Sequence, residues 1–212
     1  MTVTEMTPPT PEMTNDTGLV YGEDGLGRPA WAVASPLLKH YYDTEWGMPI
    51  HEESGLLERL CLEGFQAGLS WELVLRKREA FREAFVGFDA DLLASFGDEE
   101  VERLMDNERI IRNRLKITSV LTNAKATVAL REEGGLDEFI WSFLPKETIV
   151  PEREEDIPKY TQEAQDMSKA LKKAGFKFVG PVICFSLMEA IGMVDAHLVG
   201  SHRRGTSGIW PA

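Results

Sequence analysis

Two helical patterns, over residues 163–174 and 181–191, are separated only by the turn Gly175-Phe176-Lys177-Phe178-Val179-Gly180. A connection this short sends the second helix back along the first, so the segment admits a tight helical hairpin and little else. Gly175 can close the first helix in the left-handed conformation that a side chain penalises, and Pro181 suits a first helical turn, where its missing N–H is not needed. Gly180 leaves the start of the second helix open. Free amides there, the positive end of the helix dipole and the nearby lysines would together receive a phosphate group. On spacing alone a purely structural hairpin fits equally well.

The rest of the chain keeps the helical period. Leu56, Leu57, Leu60 and Cys61 open a helix to about Ala67, and Trp71, Val74 and Leu75 begin the next, reaching Phe85. Asp89 can cap a short helix through Leu93, and Asp98 one in which Val101, Leu104 and Met105 face inward. A long helix from Ile110 to Leu130 ends at Gly134-Gly135, Leu136 to Phe143 forms a short aromatic helix, and Pro145 to Pro158 reads as a loop. No stretch alternates cleanly with period two, so the chain is predicted to be all-α, with one globular domain over residues 27–212. The first 26 residues, rich in Thr, Pro, Glu and Gly, read as an acidic, disordered tail. No run is apolar enough to span a membrane, and the polar N-terminus does not resemble a signal peptide. The expectation is a cytoplasmic monomer.

A net charge of -12 argues at first against a nucleic-acid partner, because phosphate contacts need Lys and Arg. Most of the net negative charge, however, falls in residues 1–26, which have no Lys or Arg, and in residues 146–166. Lys169, Lys172, Lys173 and Lys177 form an acid-free stretch, as do Arg109, Arg112, Arg114 and Lys116. Local basic faces are therefore possible on an acidic body, although two solvated helix faces would look the same. Cys61 and Cys184 sit among apolar neighbours and read as buried free thiols.

Glu63 is the most telling single residue. It lies in an otherwise apolar helix, where an unpaired carboxylate is costly to bury, so it must face a cleft or an ion-pair partner. Trp31, Tyr41, Trp46 and Trp71 could supply stacking faces for a planar ligand, though each alone reads as ordinary packing.

The segments Tyr41-Tyr42-Asp43-Thr44-Glu45-Trp46-Gly47, Cys61 to Trp71 (CLEGFQAGLSW), Ile110 to Lys116 (IIRNRLK) and Trp141-Ser142-Phe143, together with the hairpin, resemble the 3-methyladenine DNA glycosylase I family over about residues 27 to 205. That family belongs to the helix-hairpin-helix glycosylase superfamily. The resemblance implies a helix-hairpin-helix fold and a base-excision repair enzyme that hydrolyses the N-glycosidic bond of 3-methyladenine in alkylated double-stranded DNA. It implies that Glu63 hydrogen-bonds the extruded base, that Trp31, Tyr41, Trp46 and Trp71 wall its pocket, and that Leu69 plugs the gap left in the duplex. Gly175, Lys177 and Gly180 would hold the DNA backbone. The superfamily also carries a Val-Asp-x-His similar to Val194-Asp195-Ala196-His197, whose Asp is catalytic, so Asp195 joins Glu63 as a catalytic candidate. Lyase-type members have a Lys where this chain has Val182, which favours simple hydrolysis.

Three departures stand out. Well-known family members hold a structural zinc with two Cys and two His, and the matching positions here are Pro29, Tyr42, His197 and Ser201. One ligand cannot build a four-coordinate site, so no metal or other cofactor is expected. A Tyr42 to His197 hydrogen bond is expected to hold the same seam instead. The family commonly has Asn then Asp where this chain has Asp195-Ala196, and often Tyr where it has Leu38. A glycosylase for a different alkylated purine, a non-catalytic lesion-binding DNA protein, and a helical interaction module indifferent to DNA are the competing readings.

Overall fold

The computed structural model describes residues 13–14 and 18–211. Ten α-helices dominate them, as the periodicity predicts. The N-terminal part departs from expectation. Short strands β1 (Met13–Thr14), β2 (Leu19–Tyr21) and β3 (Gly27–Pro29) form an antiparallel sheet in the order β1-β2-β3, with Leu19 opposite Pro29 and Tyr21 opposite Gly27. Leu19 and Val20 are buried, so the ordered chain begins before Gly27 rather than at it. Strands of two or three residues are too short to show alternation, which is why the sequence hides them. Residues 1–12 and 15–17, the rest of the expected tail, lie outside the described residues.

Local chemistry explains the helix starts. Ser35 caps α1 (Pro36–Thr44) by accepting from the Leu38 amide, and Pro36 occupies its first turn. α2 (Glu53–Gln66) runs through the middle of the molecule and is buried from Leu56 to Phe65 apart from Glu58. Ser70 caps α3 (Trp71–Arg76). The helix expected to continue to Phe85 breaks at Lys77, and α4 (Arg78–Ala84) sets off anew. The break brings Phe81 onto Phe65, with ring centroids 4.5 Å apart.

Asp89 caps α5 (Ala90–Ala94) as predicted. In α6 (Asp98–Asp106) the cap is Gly97, whose amide donates to Glu100, and Asp98 is already helical. α7 (Arg114–Leu130) starts four residues later than the pattern suggested because the Asn113 side chain accepts from the Lys116 amide. α8 (Gly135–Trp141) follows, and the loop beyond it contains one short 3-10 turn, Glu154–Asp156. α9 (Gln162–Lys173), capped by Thr161, and α10 (Pro181–Ala190) form the hairpin.

The core gathers around α2, with α7, α8 and α10 packed on it. Burying this many aliphatic and aromatic side chains supplies the main driving force, at about 25 cal/mol per Å² of apolar surface. Gly175 has φ of 97°, and the amides of Gly175 and Phe176 return to the carbonyls of Lys172 and Leu171, closing α9 in a Schellman motif. Asn123 of α7 clamps the turn by accepting from the Lys177 amide (2.7 Å) and donating to the Lys177 carbonyl (3.2 Å). Ser168 adds a bond to the Val179 carbonyl. The hairpin is therefore fixed from both sides, and the start of α10 is held in one place.

Candidate active site

A cavity of about 430 Å³ opens where α1, α2, α3 and α10 converge. Trp31, Leu38, Tyr41, Trp46 and Trp71 give it apolar walls, and Glu63 and Glu189 bring carboxyl groups to it. The caps described above place the walls. Ser35 and Pro36 orient α1 and thus Tyr41, and Ser70 puts Trp71 at the first position of α3. Trp31 comes from the 3-10 turn Ala30–Val33 and meets Trp46 edge to face at 5.4 Å.

Glu63 is 5% exposed, and among the described residues no hydrogen bond or ion pair holds its carboxyl. Burial raises its pKa to about 7, with the positive charge of Arg59 pulling the other way. Arg59 lies one helical turn earlier on α2, donates to the Tyr41 hydroxyl at 2.7 Å and sits over the rings of Tyr41 (5.2 Å) and Trp71 (5.7 Å). Because the Tyr41 oxygen accepts from Arg59, its own proton is left to donate elsewhere. Burial keeps that phenol neutral, raising its pKa above the ordinary range. The Trp71 indole N–H is buried with no acceptor. This arrangement suits a flat ligand that carries both donors and acceptors on its edge, and positive charge within reach of a carboxylate.

The structure thus brings Glu63 and all four predicted aromatics to one cavity. Asp195 is placed otherwise. It is 3% exposed, does not line the cavity, and its oxygens are engaged by the His197 amide and ring (3.1 and 2.7 Å) and the Gly205 amide (2.8 Å). Burial opposes its ionisation, but those bonds together hold its pKa below the ordinary value. These contacts fasten the C-terminal segment, and the structure does not bring the carboxyl of Asp195, the second catalytic candidate, into the cavity with Glu63.

Leu69 is 39% exposed in the turn between α2 and α3, beside the cavity residues Gln66 and Ser70. Gly175 and Lys177 are exposed in the hairpin, and a side chain added at Gly180 would meet open space, so the start of α10 is accessible to an anion. Lys172, Lys173 and Lys177 make no ion pair among the described residues, whereas Lys169 pairs with Asp166. The second basic stretch is not a free face. Arg109, Arg112 and Arg114 pair with Glu83, Glu108 and Glu102, and Lys116 is buried, donating to the carbonyls of Phe65 and Ala67 at the end of α2. Those acids lie on neighbouring segments or in flanking sequence, which a scan for acid-free runs passes over.

Arg59 and Glu189 were missed in the sequence. Each carries a signal of the kind that marked Glu63: an ionisable residue inside a strongly apolar helix, Arg59 exactly one turn from Glu63 and Glu189 in the last turn of α10.

The residues at the family's zinc positions do not form a donor set. Tyr42 and Ser201 hydrogen-bond each other at 2.5 Å, Pro29 has no ligating atom, and among the described residues no group of three or more His, Cys, Asp or Glu could hold a metal. The expected bond from Tyr42 to His197 is replaced by this bond to Ser201, while the His197 ring turns to Asp195 and packs edge-on against Tyr42 and Trp46. Gly47 allows this approach, since with φ of 80° any Cβ there would lie 2.4 Å from the His197 ring. Arg28 adds a second stitch, bonded to Asp24 and Asp43, and Asp43 also meets His202.

A family model described as methyladenine glycosylase matches residues 31–204. The chain is 44% identical to DNA-3-methyladenine glycosylase 1 of Escherichia coli (strain K12) over 178 residues, 82% of this chain and 95% of that protein. It matches a crystal structure of 3-methyladenine DNA glycosylase I with a TM-score of 0.79 and 42% identity, covering 82% of this chain and 98% of the other. A tyrosine-to-phenylalanine variant of 3-methyladenine DNA glycosylase I in complex with 3-methyladenine matches with a TM-score of 0.77 and 32% identity, covering 82% and 96%. On sequence, fold and the geometry of its cavity, the chain belongs to the methyladenine glycosylase family.

Proposed function

We propose that this chain is a DNA-3-methyladenine glycosylase that extrudes the alkylated nucleotide from duplex DNA into the cavity beside Glu63 and hydrolyses its N-glycosidic bond. The observation that carries this reading is a buried, unpartnered carboxyl inside an aromatic-walled cavity in a chain of this family. Methylation at N3 leaves the base cationic while it is attached to the sugar, so the bond is already weak and selection of the base is the main task. Trp31, Tyr41, Trp46 and Trp71 stack on or enclose the ring, and the Glu63 carboxylate, once a cation is beside it, pairs with that charge and accepts from the amino edge. Departure of the base leaves positive charge on the deoxyribose, to which water adds; Glu63 is the carboxylate the cavity offers to that charge. No amine stands at Val182, so the sugar is left as the hydrolysed abasic product.

The DNA backbone is read as resting on the hairpin, with one phosphate at the amides that open α10 and Lys177 and its neighbouring lysines adding charge. Leu69 is read as the wedge that fills the vacated stack. A monomer in the cytoplasm belongs to the same reading: the cavity is complete within one chain, Cys61 and Cys184 are buried free thiols, and no helix among the described residues is long and apolar enough to cross a membrane. Leu38, which lines the cavity where relatives often have Tyr, makes the range of bases worth measuring.

The test is chromatographic identification of free base released from methylated duplex DNA. Release of 3-methyladenine that Glu63→Gln suppresses supports the reading, and binding that weakens steeply with salt supports the phosphate contacts. DNA binding without release would replace it with the lesion-binding alternative.

A further inference from the structure

Glu189 has no part in the reading above, yet it reaches the same cavity from the opposite helix. It sits in the last turn of α10, which packs on α2, and lines the cavity with Glu63 and Trp71. Among the described residues neither carboxyl has a hydrogen-bond or ion-pair partner, and the Trp71 indole N–H points to none either. A half-buried and a buried carboxyl without donors, beside a buried indole N–H without an acceptor, leave one cavity with groups that the edge of a polar ligand can satisfy.

We propose that Glu189 is a second base-reading residue, which shares one proton with Glu63 so that the pocket presents a carboxylic acid beside a carboxylate to the edge of a cationic purine. This rests on the reading of the cavity as the base pocket. The chemistry follows from the edge of the ligand. An adenine ring offers an exocyclic amine, which needs acceptors, next to ring nitrogens, which need donors. Two ionised carboxylates would supply acceptors only and repel each other, and two neutral acids would forgo the negative charge that a cation requires. One of each supplies a donor, an acceptor and a single negative charge.

The groups that face the pair agree with this. Glu63 bears on Glu189, and burial and that neighbouring charge raise the Glu189 pKa to about 8, against about 7 for Glu63. Arg59 of α2 acts on Glu63, while Tyr41 of α1 contributes a neutral phenol. Glu72 of α3 and Glu154 of the loop before α9 also line the cavity, and neither acts on the pair. The interacting pair titrates as a unit and holds one proton around neutral pH.

The experiment measures binding of free 3-methyladenine to the full chain by quenching of tryptophan fluorescence across about pH 6 to 9, with base release assayed in parallel. Wild-type affinity is expected to fall as the shared proton is lost above about pH 8. Glu189→Met, which removes both donor and charge, is expected to weaken binding about tenfold at neutral pH. Glu189→Gln, whose amide is a permanent donor, is expected to bind within about threefold of wild type and to lose the decline at high pH. Wild-type affinity of Glu189→Met, or an unchanged decline in Glu189→Gln, would overturn the proposal. If wild type releases 3-methyladenine and Glu63→Gln suppresses it while both Glu189 variants behave as wild type, only this inference falls. If wild type neither binds nor releases the base, the pocket reading falls with it.

Discussion

The base pocket and the seam between the N- and C-terminal segments both enclose carboxyl groups, and they treat those carboxyls in opposite ways, although the seam also leaves His197 Nε2 and Arg203 Nε without a partner. In the seam Asp195 accepts from His197 and Gly205, Tyr42 meets Ser201, and Arg204 donates to the carbonyls of His197 and Ile149. In the pocket Glu63 and Glu189 bear pKa values raised by burial, and Trp71 has a donor with nowhere to go. A carboxylate held by several donors fastens the segments around it, whereas an enclosed carboxyl with no donor costs stability that a ligand can return. Asp195 has the sequence context of a catalytic carboxylate and the structural context of a fastener.

That contrast breaks most visibly at the two carboxylates. Glu63→Gln is expected to lower single-turnover release of 3-methyladenine by about 100-fold, the usual loss when one group aimed at developing charge is removed, while leaving thermal stability equal or higher. Asp195→Asn should do the reverse. Losing a charge-assisted bond inside the seam is expected to cost about 2 kcal/mol in denaturant unfolding, with release per folded molecule within about threefold of wild type. If Asp195→Asn instead abolished release in a fully folded protein, the division between the two regions would be wrong.

Stability against pH sharpens the same comparison. A buried carboxyl with a raised pKa binds its proton more tightly in the folded than in the unfolded chain, so its favourable contribution is complete below its ordinary pKa of 4.5 and is lost as pH rises through about 7 for Glu63 and about 8 for Glu189. Asp195 runs the other way: its pKa is lowered, so its contribution is present above the ordinary value of 3.8 and lost in acid. Glu189→Gln is therefore expected to stabilise the free protein by about 1 kcal/mol or more at about pH 8 and by little at about pH 5. A gain independent of pH, measured by urea unfolding, would mean the Glu189 carboxyl does not titrate as a buried group.

The helical fold was legible because long amphipathic elements announce themselves, and the hairpin because Gly175, Gly180 and Pro181 each have a local reason to be where they are. Glu63 and the aromatics were legible through resemblance joined to the cost of burying a charge. What escaped was set by pairing across long separations. The partners of Arg109 and Arg114, the clamp of Asn123 on Lys177, and the sealing of Asp195 by Gly205 depend on which segments meet, and no periodicity records that. The strand at Leu19–Tyr21 escaped for a related reason, since three residues gain their identity only from the strand they pair with.

The smallest effect expected is at the hydrogen bond that closes the seam. Tyr42 and Ser201 stand at two of the positions to which the family resemblance assigns zinc ligands, and their 2.5 Å bond joins α1 to the C-terminal segment across 159 positions of sequence. Tyr42→Phe removes the hydroxyl but keeps the ring stacked on Trp46 and edge-on to His197, so the loss should be that of one buried neutral hydrogen bond, about 1 kcal/mol. Ser201→Ala should cost a similar amount. Because both changes delete the same bond, the double variant should lose little more than either single one, giving a coupling of about 1 kcal/mol in a double-mutant cycle. Additive losses would show that the two hydroxyls stabilise the seam separately rather than through their shared bond.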